Sequence, residues 1–173
     1  MTIQPLPHNL FTKWIQQGIQ KGYIQDCIQT INGEAYISTS FIKKQCIQHM
    51  DKHKGRMTIS YISDMLNIDN NTLNPFLISL SNEQHWTLID DIILSSDYID
   101  HIKLSCIDII EKNGFLSLVA QTKYTGLPHR FLQKILGNTN FINLPELSDL
   151  YFTTNYIENE KQRIINELQM ANQ

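Results

Sequence analysis

Apolar residues recur at three- and four-residue steps in several stretches of this chain, and between them lie short runs in which they alternate with polar ones. Ile99, Ile102, Cys106, Ile109 and Ile110 make one such stripe, which predicts an amphipathic helix ending at Asn113-Gly114 with the glycine as a left-handed stop. A comparable helix ends at Lys54-Gly55. After each glycine comes an alternating segment, Arg56-Met57-Thr58-Ile59 or Phe115-Leu116-Ser117-Leu118, and each predicts a short strand.

These resemblances belong to an internal repeat. Ile37-Ser38-Thr39-Ser40-Phe41-Ile42 returns as Leu94-Ser95-Ser96-Asp97-Tyr98-Ile99 and again as Phe152-Thr153-Thr154-Asn155-Tyr156-Ile157, with starts 57 and 58 residues apart. The pattern is apolar, hydroxyl, hydroxyl, any, aromatic, Ile. It predicts a strand end followed by a helix N-cap, because a Ser or Thr oxygen can accept from the first-turn N–H groups that lack partners within the helix.

The remainder of a period follows from local signals. Ser60 is expected to cap a short helix through Met65 and Leu66, and a turn at Asp69 to Asn71 leads to a helix over Thr72 to Leu80 with Pro75 in its first turn. Trp86 to Ile89 and Ile92 to Leu94 flank Asp90-Asp91 as a tight hairpin. In the next period a short helix from Val119 precedes Gly126-Leu127-Pro128, with Pro128 at the first position of a helix that runs to Gly137. A longer loop and a strand through Leu150-Tyr151-Phe152 close that period. Helix, strand, helix, helix, hairpin is the order of a winged-helix unit. The expected fold is therefore mainly α with small β-hairpins (α+β), built as tandem winged-helix repeats. Its parts are a partial unit at 9–37, complete units at 38–94 and 95–152, and a terminal helix at 153–173.

The partial unit has a helical stripe of Leu10, Trp14, Ile15 and Ile19, then Ile24 to Ile31 and Glu34 to Ile37 around Asn32-Gly33, a strong hairpin signal. After Thr154, Ile157, Lys161, Ile164, Ile165 and Leu168 share one face of an opening helix. Incomplete units leave apolar surface that calls for a partner.

Composition narrows the chemistry. Hydrophobic residues are 42% of the 173 and charged residues 18%, and 14 Lys plus Arg against 17 Asp plus Glu give a net charge of −3. A globular chain with that balance lacks the field of a strong phosphate binder, which tells against duplex DNA. Asn71 to Leu80 carries no Lys or Arg, and the corresponding helix of the other unit offers only His129, Arg130, Gln133 and Lys134. Lys43, Lys44, Lys52, Lys54 and Arg56 cluster near the first long helix and read as a solvated face. No run of eighteen apolar residues and no leader-like start is present, so no membrane insertion is expected.

Cys27, Cys46 and Cys106 are widely spaced and odd in number, which predicts free thiols, two of them on apolar helical positions. No C-x-x-C pair occurs, and His49 and His53 have no evident third ligand. No metal, cofactor or catalytic side chain is expected.

Gly33-Glu34-Ala35-Tyr36-Ile37-Ser38, the Gly55-to-Ile59 strand, and Gly114 through Leu136 with its Leu127-Pro128 and Phe131-Leu132 resemble the N-terminal region of the ligase family that attaches the ubiquitin-fold modifier to proteins. The resemblance is collinear from about Trp14 to Leu168. It implies a scaffold-type E3 of ufmylation that has no active cysteine. The implied partners are a conjugating enzyme, an endoplasmic-reticulum adaptor bearing a DDRGK motif, and the ribosome as acceptor. The implied place is cytoplasmic, at the endoplasmic reticulum through that adaptor, with the nucleus as a second location. On that resemblance the adaptor surface includes Trp14, Ile15, Ile19, Ile24, Ile28, Tyr36 and Ile37. Family members also carry an N-terminal helix for the conjugating enzyme and further winged helices, and here only a short Pro-containing stretch precedes Leu10. The contrasting reading is a nucleic-acid-binding tandem winged-helix protein.

Overall fold

A computed structural model describes residues 8–137 and 139–171. The leader-free start read over residues 1–7, Asn138 at the head of the second wing, and the last two positions of the terminal helix lie outside the described residues. The chain divides into two compact units, one running to Tyr98 and the other from Ile99. It is mainly α-helical with small antiparallel sheets, as the periodicity predicts. No helix among the described residues is long and apolar enough to cross a membrane.

The first unit opens with helix α1 (His8–Gln20) and the two-stranded sheet of β1 (Cys27–Gln29) and β2 (Tyr36–Ser38). Helix α2 (Thr39–Lys52) and strand β3 (Arg56–Thr58) come next, then α3 (Ile59–Leu66), α4 (Asn70–Gln84) and the hairpin β4 (Thr87–Ile89) and β5 (Ile92–Leu94). β5 is the central strand of the sheet, in the order β3-β5-β4. Ile42, Cys46 and Met50 of α2 meet Met57, Ile62, Leu66, Leu73, Leu77 and Ile93 in one buried cluster, with Ile28, Ile37 and Trp86 packed on its margin. Burial of such side chains is the main force holding the helices to so small a sheet, at about 1.5–3 kcal/mol each.

The second unit repeats the plan. Helix α5 (Ser96–Asn113) leads to β6 (Phe115–Ser117), α6 (Leu118–Thr125), α7 (His129–Leu136), β7 (Ile142–Asn143), a 3-10 turn at Pro145–Leu147, and β8 (Leu150–Phe152). β8 is central, in the order β6-β8-β7. Helix α8 (Thr154–Ala171) follows, and every one of its residues from Lys161 onward is exposed.

Each copy of the repeated motif caps a helix with its first hydroxyl. Ser38 Oγ accepts from Phe41 N–H at 3.3 Å, Ser95 Oγ from Tyr98 N–H at 3.2 Å, and Thr153 Oγ1 from Tyr156 N–H at 3.2 Å. Two of these caps also close on a glycine. Ser95 N–H donates to the Gly55 carbonyl at 2.8 Å and Thr153 N–H to that of Gly114 at 2.9 Å. Gly55 has φ +91° and Gly114 φ +82°, and a Cβ would lie 2.0 Å from Ser95 Oγ at the first and 2.3 Å from Tyr156 Cδ2 at the second. Only glycine satisfies both the dihedral and the approach.

Several local expectations shift. Thr58, not Ser60, caps α3, its Oγ1 accepting from Tyr61 N–H, while Ser60 N–H turns to Asp91 Oδ1 at 3.1 Å. α4 begins earlier than its apolar pattern suggests because Asp69 caps it through Thr72 N–H, so Pro75 falls beyond the first turn and leaves the carbonyl of exposed Asn71 to water. Pro128 sits one position before α7, at its N-cap with ψ 139°, rather than at its first helical position.

The strands around Asn32-Gly33 are shorter than expected, three residues each, and the turn is wider. Thr30 and Ala35 close it through Thr30 N–H to the Ala35 carbonyl at 3.0 Å and Ala35 N–H to Thr30 Oγ1 at 3.0 Å. Ile31 N–H donates instead to the Asn67 carbonyl at 2.7 Å, which draws the loop towards α3 and away from a two-residue turn.

A glycine pair separates the two constraints. Gly22 has φ +71° with nothing near its absent Cβ. Gly22→Ala should therefore cost about 1 kcal/mol in urea denaturation, and Gly114→Ala about 3 kcal/mol or more because overlap adds to the dihedral penalty. Equal losses would remove the close approach from the account of stability.

Candidate functional site

The incomplete first sheet has two faces because side chains alternate along each strand. Ile28 and Ile37 stand opposite each other on one face and pack on the core. Cys27, Gln29 and Tyr36 point to the other face and, with Gln16, Ile19 and Gln20 of α1, line an open cleft of about 440 Å³. The Tyr36 hydroxyl is buried without a hydrogen-bond partner among the described residues. Such a group costs free energy unless something donates to it or accepts from it.

α1 presents an apolar surface. Trp14 is 55% exposed, Phe11 44%, Leu10 40% and Ile19 38%. Ile15 is half-buried, and Ile24 rests on the helix at Gly18, where a Cβ would stand 2.7 Å from its Cδ1. The seven residues grouped by the sequence thus part into three sets. Trp14 and Ile19 are exposed, Tyr36 lines the cleft with half-buried Ile15 on the nearby helix, and Ile28 and Ile37, like Ile24, are engaged in holding the hairpin or helix in place. Phe11 and Phe41, the latter 47% exposed, belong with the exposed set. The sequence signals for them were an apolar step beside Leu10 and the aromatic position of the repeated motif.

β2 has a free edge. In the three-stranded sheets the strand that ends in the repeated motif, β5 or β8, is flanked on both sides, whereas among the described residues β2 pairs only with β1. Thr39 N–H bonds to Asp26 and Thr30 N–H to Ala35, so the alternation of an antiparallel ladder makes Ile28–Ile37 the bonded pair between them. The backbone N–H and C=O of Tyr36 and Ser38 consequently point away from β1. An edge of this kind is a template for another strand.

No thiol of the helices is poised for chemistry. Burial pushes the Cys46 thiol up to about 12 and raises that of Cys106, so neither is a thiolate near neutral pH. His49 and His53 stack at 4.0 Å and His49 lies 4.4 Å from the Tyr61 ring, which makes the pair part of the contact between α2 and α3. Among the described residues no three His, Cys, Asp or Glu side chains gather around a metal position. Of the basic cluster, Lys43 pairs with Glu83 and Arg56 donates to the Tyr98 hydroxyl at 3.5 Å, while Lys44, Lys52 and Lys54 are exposed. His129 Nε2 lies 2.8 Å from Asp149 Oδ1, which leaves Arg130 and Lys134 as the exposed cations of α7.

The family model described as E3 UFM1-protein ligase 1 matches residues 11–172. The E3 UFM1-protein ligase 1 homolog of Trichoplax adhaerens is 25% identical over 105 residues, which are 60% of this chain and 14% of that protein. Among solved structures, the mRNA-binding domain of elongation factor SelB from E. coli in complex with SECIS RNA overlaps 56% of this chain and 82% of its own, with 12% identity and a TM-score of 0.40.

Two measurements check the site chemistry. Iodoacetamide on the native protein should label half-buried Cys27, with Cys46 and Cys106 reacting only after denaturation; native labelling of either would contradict their burial. Burial, then His53 and Lys52, hold the His49 pKa below the ordinary histidine value. The unfolded chain therefore takes up this proton first, and stability falls as pH drops through about 6.5. The urea midpoint should decline between pH 7.5 and 5.5, less so in His49→Ala; an unchanged slope would assign the effect elsewhere.

Proposed function

Because the chain belongs to the E3 UFM1-protein ligase family, we propose that it works in the conjugation of the ubiquitin-fold modifier as a docking scaffold, without a covalent intermediate of its own. The observation that carries this reading is the two-stranded sheet beside an exposed apolar helix: among the described residues β2 has a neighbour on one side where β5 and β8 have one on each, and α1 exposes Phe11 and Trp14 next to it. A protein partner that supplies the missing elements would cover both. The adaptor bearing a DDRGK motif is the proposed occupant, and it would hold the chain at the endoplasmic reticulum surface.

The inert thiols of α2 and α5 favour placement over transfer. A scaffold acts by bringing the thioester of a conjugating enzyme to an acceptor amine, and fixed orientation can contribute about 7–11 kcal/mol of the barrier in favourable cases. The ribosome is the proposed acceptor, and the conjugating enzyme a second partner. The nucleic-acid reading draws less support, since α4 contains no Lys or Arg and α7 leaves two exposed cations.

Copurification with the DDRGK-motif adaptor tests the reading. Ile28→Asp is a poor probe because Ile28 packs on the core. Trp14→Asp combined with Ile19→Asp changes exposed positions instead, and should weaken capture about tenfold or more while the circular dichroism spectrum is unchanged. Tyr36→Phe, which deletes the unpartnered hydroxyl, should lower capture by a smaller factor. A folded double variant captured as well as the unaltered chain would refute docking at this surface.

A further inference from the structure

Another open cleft, of about 300 Å³, lies in the first unit where α2, β3 and α3 meet, lined by His49, His53, Arg56, Met57, Thr58 and Tyr61. Its wall is aromatic. His53 and His49 stack at 4.0 Å, and His49 meets the Tyr61 ring at 4.4 Å with 30° between their planes, so three rings run across the junction of the two helices. Thr58 Oγ1 accepts from Tyr61 N–H at 3.2 Å, which sets the tyrosine in the first turn of α3. The packing leaves that ring partly outward, since Tyr61 is 48% exposed.

The charge around this wall differs from that of the chain. Residues 43–56 hold five Lys and Arg against one acid, Asp51, while the rest of the same unit holds two against eight. Asp51 is two positions from both histidines and so lies on another side of α2. Asp91, which approaches the start of α3, accepts from the Ser60 N–H. Lys52 and Lys54 are exposed, and Arg56 lines the cleft itself. Burial, and then the charges of His53 and Lys52, lower the His49 pKa, the second cause marking a positive potential at the wall. At neutral pH His49 is accordingly an uncharged ring.

An aromatic face ringed by long-chain cations matches flat π-systems joined by phosphates. An acidic peptide would use the cations and leave the rings idle, and a duplex would use the cations while keeping its bases stacked inside. We infer that this cleft binds a short run of unpaired nucleotides, one base stacking on Tyr61 while neighbouring phosphates meet Arg56, Lys52 and Lys54. RNA and DNA strands share this chemistry. The inference goes beyond the docking proposed above and does not depend on it. Nor does it call on a groove-reading helix: the scarcity of cations on α4 and α7 concerns the elements a winged helix lays on duplex DNA, whereas these residues belong to α2, β3 and α3.

Fluorescence anisotropy of labelled deca-uridylate and deca-thymidylate with the full chain tests it, and the tighter of the two names the source. Binding should fall with salt at a log–log slope of about −2, the value for three phosphate contacts on a single strand. Tyr61→Ala should weaken it about tenfold or more, and Tyr61→Phe should leave it unchanged. Lys52→Gln combined with Lys54→Gln should reduce the slope by about 1.4. All three positions are exposed, and an unchanged circular dichroism spectrum checks that the variants fold. Trp14→Asp with Ile19→Asp should bind both strands as the unaltered chain does, which keeps this result separate from adaptor docking. An abasic strand or polyglutamate bound as tightly as deca-uridylate, or a folded Tyr61→Ala variant with undiminished binding, overturns the inference. So does loss of binding in Arg130→Gln with Lys134→Gln, which would put the strand on α7, and so does failure to bind either strand at about 50 mM salt.

Discussion

At Gly55 and Gly114 the backbone adopts a left-handed turn with no space for a side chain, because the cap of a later helix lies against it. That approach joins parts of each unit that are distant in sequence. The glycine ends one helix and begins the covering strand, and its carbonyl takes the N–H of the residue that caps the following helix. The three-residue strands would be marginal on their own. Tied in this way, they bring the helices close enough to bury Ile42, Ile62 and Leu77 in one unit and Leu116, Leu118 and Leu132 in the other. The core depends on closure by glycine, and the closure in turn fixes which edge of the sheet is covered.

The same logic separates what this chain can do from what it cannot. Its helical thiols are protonated and enclosed, its paired histidines are spent on packing against Tyr61, and its basic residues are partly engaged by Glu83 and Tyr98. The cleft beside β2 holds one thiol, Cys27, and is lined by no histidine, carboxylate or cationic side chain. The unusual features are geometric: a bare strand edge, a buried hydroxyl on Tyr36, and an aromatic face on α1. These are the features on which the proposed docking of a protein partner rests.

Much of the fold was legible in the sequence because its signals are local. Hydroxyl caps, left-handed glycines and apolar stripes each act within a turn or two, and the repetition near 58 residues multiplied their evidence. What escaped was decided by contacts from afar. Thr58 replaced Ser60 as a cap because Asp91 claimed the Ser60 N–H, and the Asn32-Gly33 turn widened because Asn67 drew in Ile31. The site was half legible. The family resemblance grouped Ile28 and Ile37 with Trp14 and Ile19, while strand alternation sends the first two inward; with strands of only three residues, the alternation gave too few positions to assign a face. Phe41 was visible as a motif residue, but its exposure depends on a neighbour that no local pattern reports.

Helix α8 carries Ile164, Ile165 and Leu168 in the open, and nothing in its own unit buries them. It keeps its helical form there with Arg163 placed between Glu160, at 2.7 Å, and Glu167, at 3.2 Å, pairs one turn away on either side. Each such exposed pair contributes only a few tenths of a kcal/mol. Together they favour a rod that exists before anything meets it, so whatever lands on its greasy side finds a finished track and spends none of its affinity on winding one.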